Sequence, residues 1–125
     1  VSSFHHIRRE RPHVMQGKDD FETFLKWKLD SEREYQYHID TSIELQSDYL
    51  IDLHGNVVVD FIGHYETLQD DFNEACRHIG IKPFDLPHKR KAKDRGDYRK
   101  YYNDETAEMV ATHFKRDIDI LSYDF

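Results

Sequence analysis

Residues 49–68, YLIDLHGNVVVDFIGHYETL, carry the clearest β signal in the chain. Tyr49, Ile51 and Leu53 alternate with Leu50 and Asp52, Gly55-Asn56 supplies a turn, and Val57 to Ile62 is rich in β-branched residues. That pattern predicts a β-hairpin. The second run is apolar on nearly both faces apart from Asp60, as in a strand internal to a larger sheet. The 125 residues offer too few other strands to build such a sheet. Its pairing partners are therefore expected outside this stretch, and the strand left alone predicts aggregation or homo-oligomerisation.

Outward from the hairpin the periodicity is helical. On the C-terminal side Thr67 is placed to cap a helix with Asp70 in its first turn. Leu68, Phe72, Ala75, Cys76 and Ile79 form its apolar stripe, and Gly80 stops it. Residues 81–103 contain Pro83 and Pro87 and hold no sustained apolar period. Ala107, Val110, Ala111, Phe114, Ile118 and Leu121 then predict one amphipathic helix over 104–121. On the N-terminal side, residues 32–48 show no clean period and read as an irregular segment. Asp19 with Glu22 reads as a capping box before a helix over 20–31, whose inner face is Phe21, Phe24, Leu25 and Leu29. Residues 12–18 read as a loop, and Val1, Phe4 and Ile7 mark an opening helix that Pro12 ends. A chain that starts inside an element is expected to have been cut from something longer.

The length fits one domain, 1–125. An aromatic content of 14% argues against disorder. Cys76 is the single cysteine, so no intrachain disulfide can form and a reducing compartment is expected. No apolar run approaches the roughly 18 residues of a membrane span, and nothing resembles a secretory signal.

The formal net charge is -7, yet residues 89–100, KRKAKDRGDYRK, hold seven Lys or Arg against Asp94 and Asp97. The remaining residues hold eleven basic and twenty-three acidic side chains. Gathered positive charge of this kind points to a localised anionic partner. On composition alone a solvated loop ranks first and a phosphate or sulfate site second. Nucleic acid is disfavoured by the pI of about 5.7 and by the lack of aromatic residues inside KRKAKDR, although Tyr98, Tyr101 and Tyr102 follow closely.

Other chemistries find no support in the residues. None of the nine histidines sits in an HExxH arrangement, there is no CxxC, and the adjacent His5 and His6 would point about 100° apart on a helix, so no metal site is expected. Cys76 falls on an apolar stripe, the usual place of an inert thiol. There is no GxSxG and no Walker loop. Asp70 and Asp71 stand at a helix start and serve its dipole.

The ordered series DDFETFLKW, VDFIGHYETLQDDF, IGIKPFDLPHKRK, DYRKYYNDETAEMV and FKRDIDILSYDF resembles the C-terminal part of the family 2 sulfotransferases, which include bacterial members and the Golgi carbohydrate sulfotransferases. Phe61, Gly63, Glu66, Leu68 and Asp71 match that family's Phe-x-Gly-x-x-Glu-x-Leu-x-x-Asp. Tyr98, Tyr101, Tyr102, Asp117, Ile118, Tyr123 and Phe125 match its ending, with Ser122 in place of a Gly.

The resemblance implies an α/β fold related to P-loop kinases, seen here as a C-terminal segment that is mostly helical with one β-hairpin. It also implies transfer of a sulfuryl group from 3′-phosphoadenosine 5′-phosphosulfate (PAPS) to a hydroxyl of a carbohydrate-like acceptor, with no metal. VSSF resembles the end of the family's 3′-phosphate motif, which places Ser2 at the phosphate. LPHKRKA resembles its nucleotide-closing loop, matching at His88 and Lys91, with Arg90 replacing an Asn and Ala92 replacing a hydroxyl residue. Ser2, Arg90 and Lys91 are therefore the expected cofactor-binding residues. Lys89, Lys93 and Arg95 are expected to extend the positive field toward an anionic acceptor. The family's phosphosulfate loop and base region lie upstream, so no catalytic residue is assigned and the 125-residue chain alone is expected to be inactive. The bacterial cytoplasm is the expected compartment, ahead of the Golgi lumen. The competing reading is a non-enzymatic anion- or nucleic-acid-binding module that uses the basic loop 89–100.

Overall fold

A computed structural model describes residues 1–37, 40–87 and 96–124. Five α-helices occur among them: α1 (Ser2–Glu10), α2 (Phe21–Leu29), α3 (Leu68–His78), α4 (Asp104–His113) and α5 (Lys115–Leu121). Single 3-10 turns lie at Pro12–Met15, Tyr35–Tyr37, Gln46–Tyr49, Tyr65–Thr67 and Tyr98–Tyr101. The described residues group into two units, 1–49 with 96–124, and 50–87.

The first unit is built on α1 and α2. Phe4 on α1 packs edge-to-face on Phe21 and Phe24 of α2, at centroid distances of 5.8 and 5.3 Å. Met15 and Leu25 complete the buried cluster, and Tyr102 and Val110 close over it. The capping residue of α2 is Asp20 rather than Asp19. Its carboxylate accepts from Thr23 N at 2.8 Å and from the Thr23 hydroxyl at 2.9 Å. Glu22 instead pairs with Lys26 and accepts from Asn103 Nδ2.

The expected final helix is two helices. The chain turns at Phe114, and α4 starts from a reciprocal cap in which Thr106 N donates to Asn103 Oδ1 while Asn103 N donates to Thr106 Oγ1. From α5, Asp117 reaches across to accept from Gln46 N and Ser47 N, both at 2.9 Å. Arg116 donates to the Ser47 hydroxyl and pairs with Asp48, and His113 Nε2 donates to Ile43 O at 2.9 Å. Three side chains, His113, Arg116 and Asp117, thus organise a stretch, 43–48, that has no apolar period of its own.

The second unit overturns the expected α/β fold and its β-hairpin. Among the described residues there is no strand or sheet, only an isolated antiparallel bridge between Ile51 and Val57. Asp52 gathers the turn locally, accepting from His54 N, Asn56 N and Asn56 Nδ2, with Gly55 at φ 85°. Pairing reaches Val58 N to Leu50 O and goes no further among the described residues. A two-stranded ribbon with no third strand and no packed helix is marginal in water. Leu53, Val57 and Val58 accordingly stay exposed.

Helix α3 lies as expected, but its cap differs. The Thr67 hydroxyl donates to Asp71 Oδ2 at 2.6 Å, and Asp71 Oδ2 also accepts from His64 N at 2.7 Å. A Cβ on Gly63 would come 3.1 Å from Asp71 Cβ, so a larger residue there would press on this clasp by a few tenths of an ångström. At the other end Ile81 N bonds Cys76 O and Gly80 N bonds Arg77 O, with Gly80 at φ 75°, a Schellman closure. Of the expected apolar stripe only Cys76 is buried, while Leu68 and Ile79 are exposed.

Candidate anion-binding cleft

Ser2 opens α1, and its side chain borders a cleft of about 560 Å³ in the first unit. The cleft has three walls. Helix α1 and the residue that ends it supply Ser2, Ser3, His6 and Arg11. Helix α2 supplies Trp27 and Lys28, and residues 36, 37 and 40–42 complete it with Tyr37, Asp40 and Ser42 among them.

Lys28 is nine-tenths buried yet charged, and its surroundings account for it. Its ammonium donates to Asp40 Oδ2 at 2.7 Å, and the Arg33 guanidinium stands 3.6 Å from the same oxygen. Arg33 Nη1 also donates to Lys28 O at 2.6 Å, closing the end of α2. Asp40 Oδ1 is held by the Ser42 hydroxyl at 2.6 Å and by Ser42 N at 3.1 Å. Burial pushes the Asp40 carboxyl up, but the hydrogen bonds from Lys28 and Ser42 outweigh it and hold the group below the usual carboxylate range. Lys28 and Arg33 both approach Asp40, and of the two Lys28 lines the cleft.

Arg11 is exposed at the mouth and forms no ion pair among the described residues. The aromatic part of the wall is the chain's single tryptophan, Trp27, with Tyr37 edge-on at 5.2 Å. Lys18 Nζ lies 4.7 Å from the Trp27 ring centre. Such a cleft can receive a small anion or phosphoester beside an aromatic surface, and its volume lies within the range of small-molecule sites.

Of the site residues expected from the sequence, Ser2 alone can be placed. Arg90, Lys91, His88, Ala92, Lys89, Lys93 and Arg95 lie outside the described residues. The far end of the basic run is described: Asp97 accepts from Arg99 N, and Arg99 lies over the Tyr98 ring at 4.9 Å. Tyr101 meets His5 Nε2 at 2.8 Å and packs edge-on against Phe21, as does Tyr102. Lys28, Arg33, Asp40 and Trp27 went unnoticed in sequence. Only Lys28 left a trace there, falling seven residues after Phe21 and so on the inner face of α2.

Among the described residues no group of three or more His, Cys, Asp or Glu is placed to hold a metal ion, and no helix is long and apolar enough to cross a membrane. No protein family, curated protein or solved structure matches this chain.

Proposed function

We propose that this chain forms part of a sulfotransferase and that the cleft beside Ser2 takes a phosphate group of the donor PAPS, for transfer of its sulfuryl group to a hydroxyl of a carbohydrate-like acceptor. One observation carries the reading. Ser2, selected from the VSSF motif alone, stands at the rim of a cleft that also holds Ser3, Arg11, buried Lys28 and Trp27. Hydroxyl donors, a fork-shaped guanidinium and an ammonium are groups that bind phosphoester oxygens. Sulfuryl transfer resembles phosphoryl transfer, in which positioning and charge stabilisation do most of the catalytic work. In this reading Ser2 and Ser3 donate to phosphate oxygens and Arg11 and Lys28 supply charge, while Arg90 and Lys91 keep the nucleotide-binding role that the resemblance gives them.

Trp27 reports on the cleft directly, because it is the only tryptophan. Titrating the 125-residue chain with adenosine 3′,5′-bisphosphate is expected to change Trp27 fluorescence in a saturable way. Ser2→Ala and Arg90→Ala/Lys91→Ala are each expected to weaken binding roughly tenfold, the scale of one charge-assisted hydrogen bond. The reading is discarded if the wild-type chain gives no saturable change, or if both variants bind as wild type does. A basic-loop module that bypasses the cleft would lose affinity in Arg90→Ala/Lys91→Ala and keep it in Ser2→Ala.

A further inference from the structure

Asp40 is held in the cleft wall much as a bound anion would be. Its Oδ2 accepts from the Lys28 ammonium at 2.7 Å and lies 3.6 Å from the Arg33 guanidinium. Its Oδ1 accepts from the Ser42 hydroxyl at 2.6 Å and from Ser42 N at 3.1 Å. Ammonium, guanidinium, hydroxyl and backbone N–H are also the donors that hold phosphate and sulfate oxygens. An ammonium carries three N–H donors, and Asp40 Oδ2 is the single acceptor for those of Lys28 among the described residues. The Phe24 ring, 5.6 Å from the same nitrogen, offers no oxygen. The two partners are not equally free to move. The Lys28 side chain is 5% exposed and the Asp40 side chain 21%, so the carboxylate can turn toward solvent while the ammonium cannot. Both residues line the cleft, so an anion that enters it meets Lys28 with Asp40 already in place. Two anions at hydrogen-bonding distance of one ammonium repel each other.

We infer that Asp40 is a resident competitor for the ligand of this cleft: a sulfate or phosphate-ester oxyanion binds Lys28 by taking the place of the Asp40 carboxylate, which turns out toward solvent. The inference rests on the cleft being an anion site, and it names the residue that sets the affinity of that site. Asp40 stands twelve residues from Lys28 along the chain. A competitor tethered so closely acts at an effective concentration on the order of millimolar or above. Chloride and free sulfate, which bring nothing but charge, are therefore held poorly. A ligand whose oxyanion is joined to further groups that touch Ser2, Arg11 or Trp27 overcomes the competitor, because those contacts come without a rival.

The test titrates the 125-residue chain with inorganic sulfate, against chloride at equal ionic strength, and reads Trp27 fluorescence and the thermal midpoint. Asp40→Asn keeps the side-chain shape and an acceptor for Ser42 while removing the competing charge. It is expected to bind sulfate roughly tenfold or more tightly than wild type, and sulfate is expected to restore part of the midpoint that the variant loses in chloride. Asp40→Asn/Lys28→Met is expected to lose both the gain and the restoration. That variant separates binding at the ammonium from the general stabilisation that sulfate gives by its exclusion from protein surfaces. Sulfate affinity in a folded Asp40→Asn equal to or below that of wild type overturns the proposal, as does an equal gain in the double variant. Should Asp40→Asn not fold, Ser42→Ala decides, because it removes one donor from Asp40 Oδ1 and leaves the charges in place. A few-fold gain in sulfate affinity is then expected, and no gain overturns the proposal. Adenosine 3′,5′-bisphosphate separates this inference from the donor reading. A sulfate gain in Asp40→Asn with no nucleotide response from wild type discards the donor reading and keeps the competitor. Nucleotide binding that Asp40→Asn leaves unchanged, with no sulfate gain, discards the competitor and keeps the donor reading.

Discussion

Ser122 ends α5 in the left-handed conformation, at φ 56°, and is the sole non-glycine with positive φ among the described residues. The sulfotransferase-like ending has a glycine at this point, and the backbone supplies the physical reason: a Cβ in that region costs about 1 kcal/mol. Ser122→Gly is expected to stabilise the chain by up to about 1 kcal/mol, less whatever the freer unfolded chain takes back. A rise of a few degrees in the thermal midpoint by circular dichroism is the expected result, and a fall would mean that Ser122 makes a contact worth more than the strain. Gly63 belongs to the same pattern and also has a geometric ground, the close approach of Asp71. So does Asp117, which binds the turn at 46–47. These pattern residues hold loops to helices, so matching them in sequence reported on local structure more than on chemistry.

Helix α2 shows how far patterning reaches at the scale of an element. Phe21, Phe24 and Leu25 were legible as its inner face because apolar spacing is the strongest signal a helix leaves. Lys28 was not, because a lysine reads as surface unless its partner is known, and Asp40 lies in a stretch without periodicity. The pair predicts an asymmetry. Asp40→Ala strands the Lys28 ammonium inside the fold and is expected to cost somewhat less than the roughly 3–5 kcal/mol of a fully buried pair, because the Asp40 side chain keeps 21% exposure. Lys28→Met keeps the apolar stem, leaves Asp40 near Arg33 and Ser42, and is expected to cost under about 1 kcal/mol. Chemical unfolding of the two variants checks the order, and equal costs would remove Lys28 from the buried pair. Residues 49–62 mark the opposite limit. Their alternation was legible, but alternation states only that a strand would suit the segment if a sheet were there to receive it. The Asn103–Thr106 cap was legible too, had Asn-x-x-Thr been weighed beside the acidic capping boxes.

Across the whole molecule, carboxylates repeatedly terminate what apolar packing leaves open. Asp20 starts α2, Asp52 closes the turn at 52–56, Asp71 clasps the start of α3, and Asp117 holds residues 46 and 47. Each is held below the usual carboxylate range. For Asp117 burial pushes upward, but the hydrogen bonds from Ser47 and Gln46 outweigh it, while for Asp20, Asp52 and Asp71 accepted hydrogen bonds dominate outright. A carboxylate with a lowered folded pKa is bound less tightly by protons when folded than when unfolded. Its stabilisation is therefore fully present above the unfolded pKa of about 4 and is lost as pH falls through the lower folded value. The thermal midpoint is accordingly expected to change little through these groups between about pH 7 and 5 and to fall steeply below about pH 4. Asp117→Asn, which cannot titrate, is expected to lower the midpoint at neutral pH, since one charge-assisted acceptor is lost at a cost of about 1–3 kcal/mol, and to show a shallower acid slope. A midpoint that rises on going from pH 5 to pH 3, or an unchanged acid slope in Asp117→Asn, would show that these carboxylates do not hold the loops against the helices.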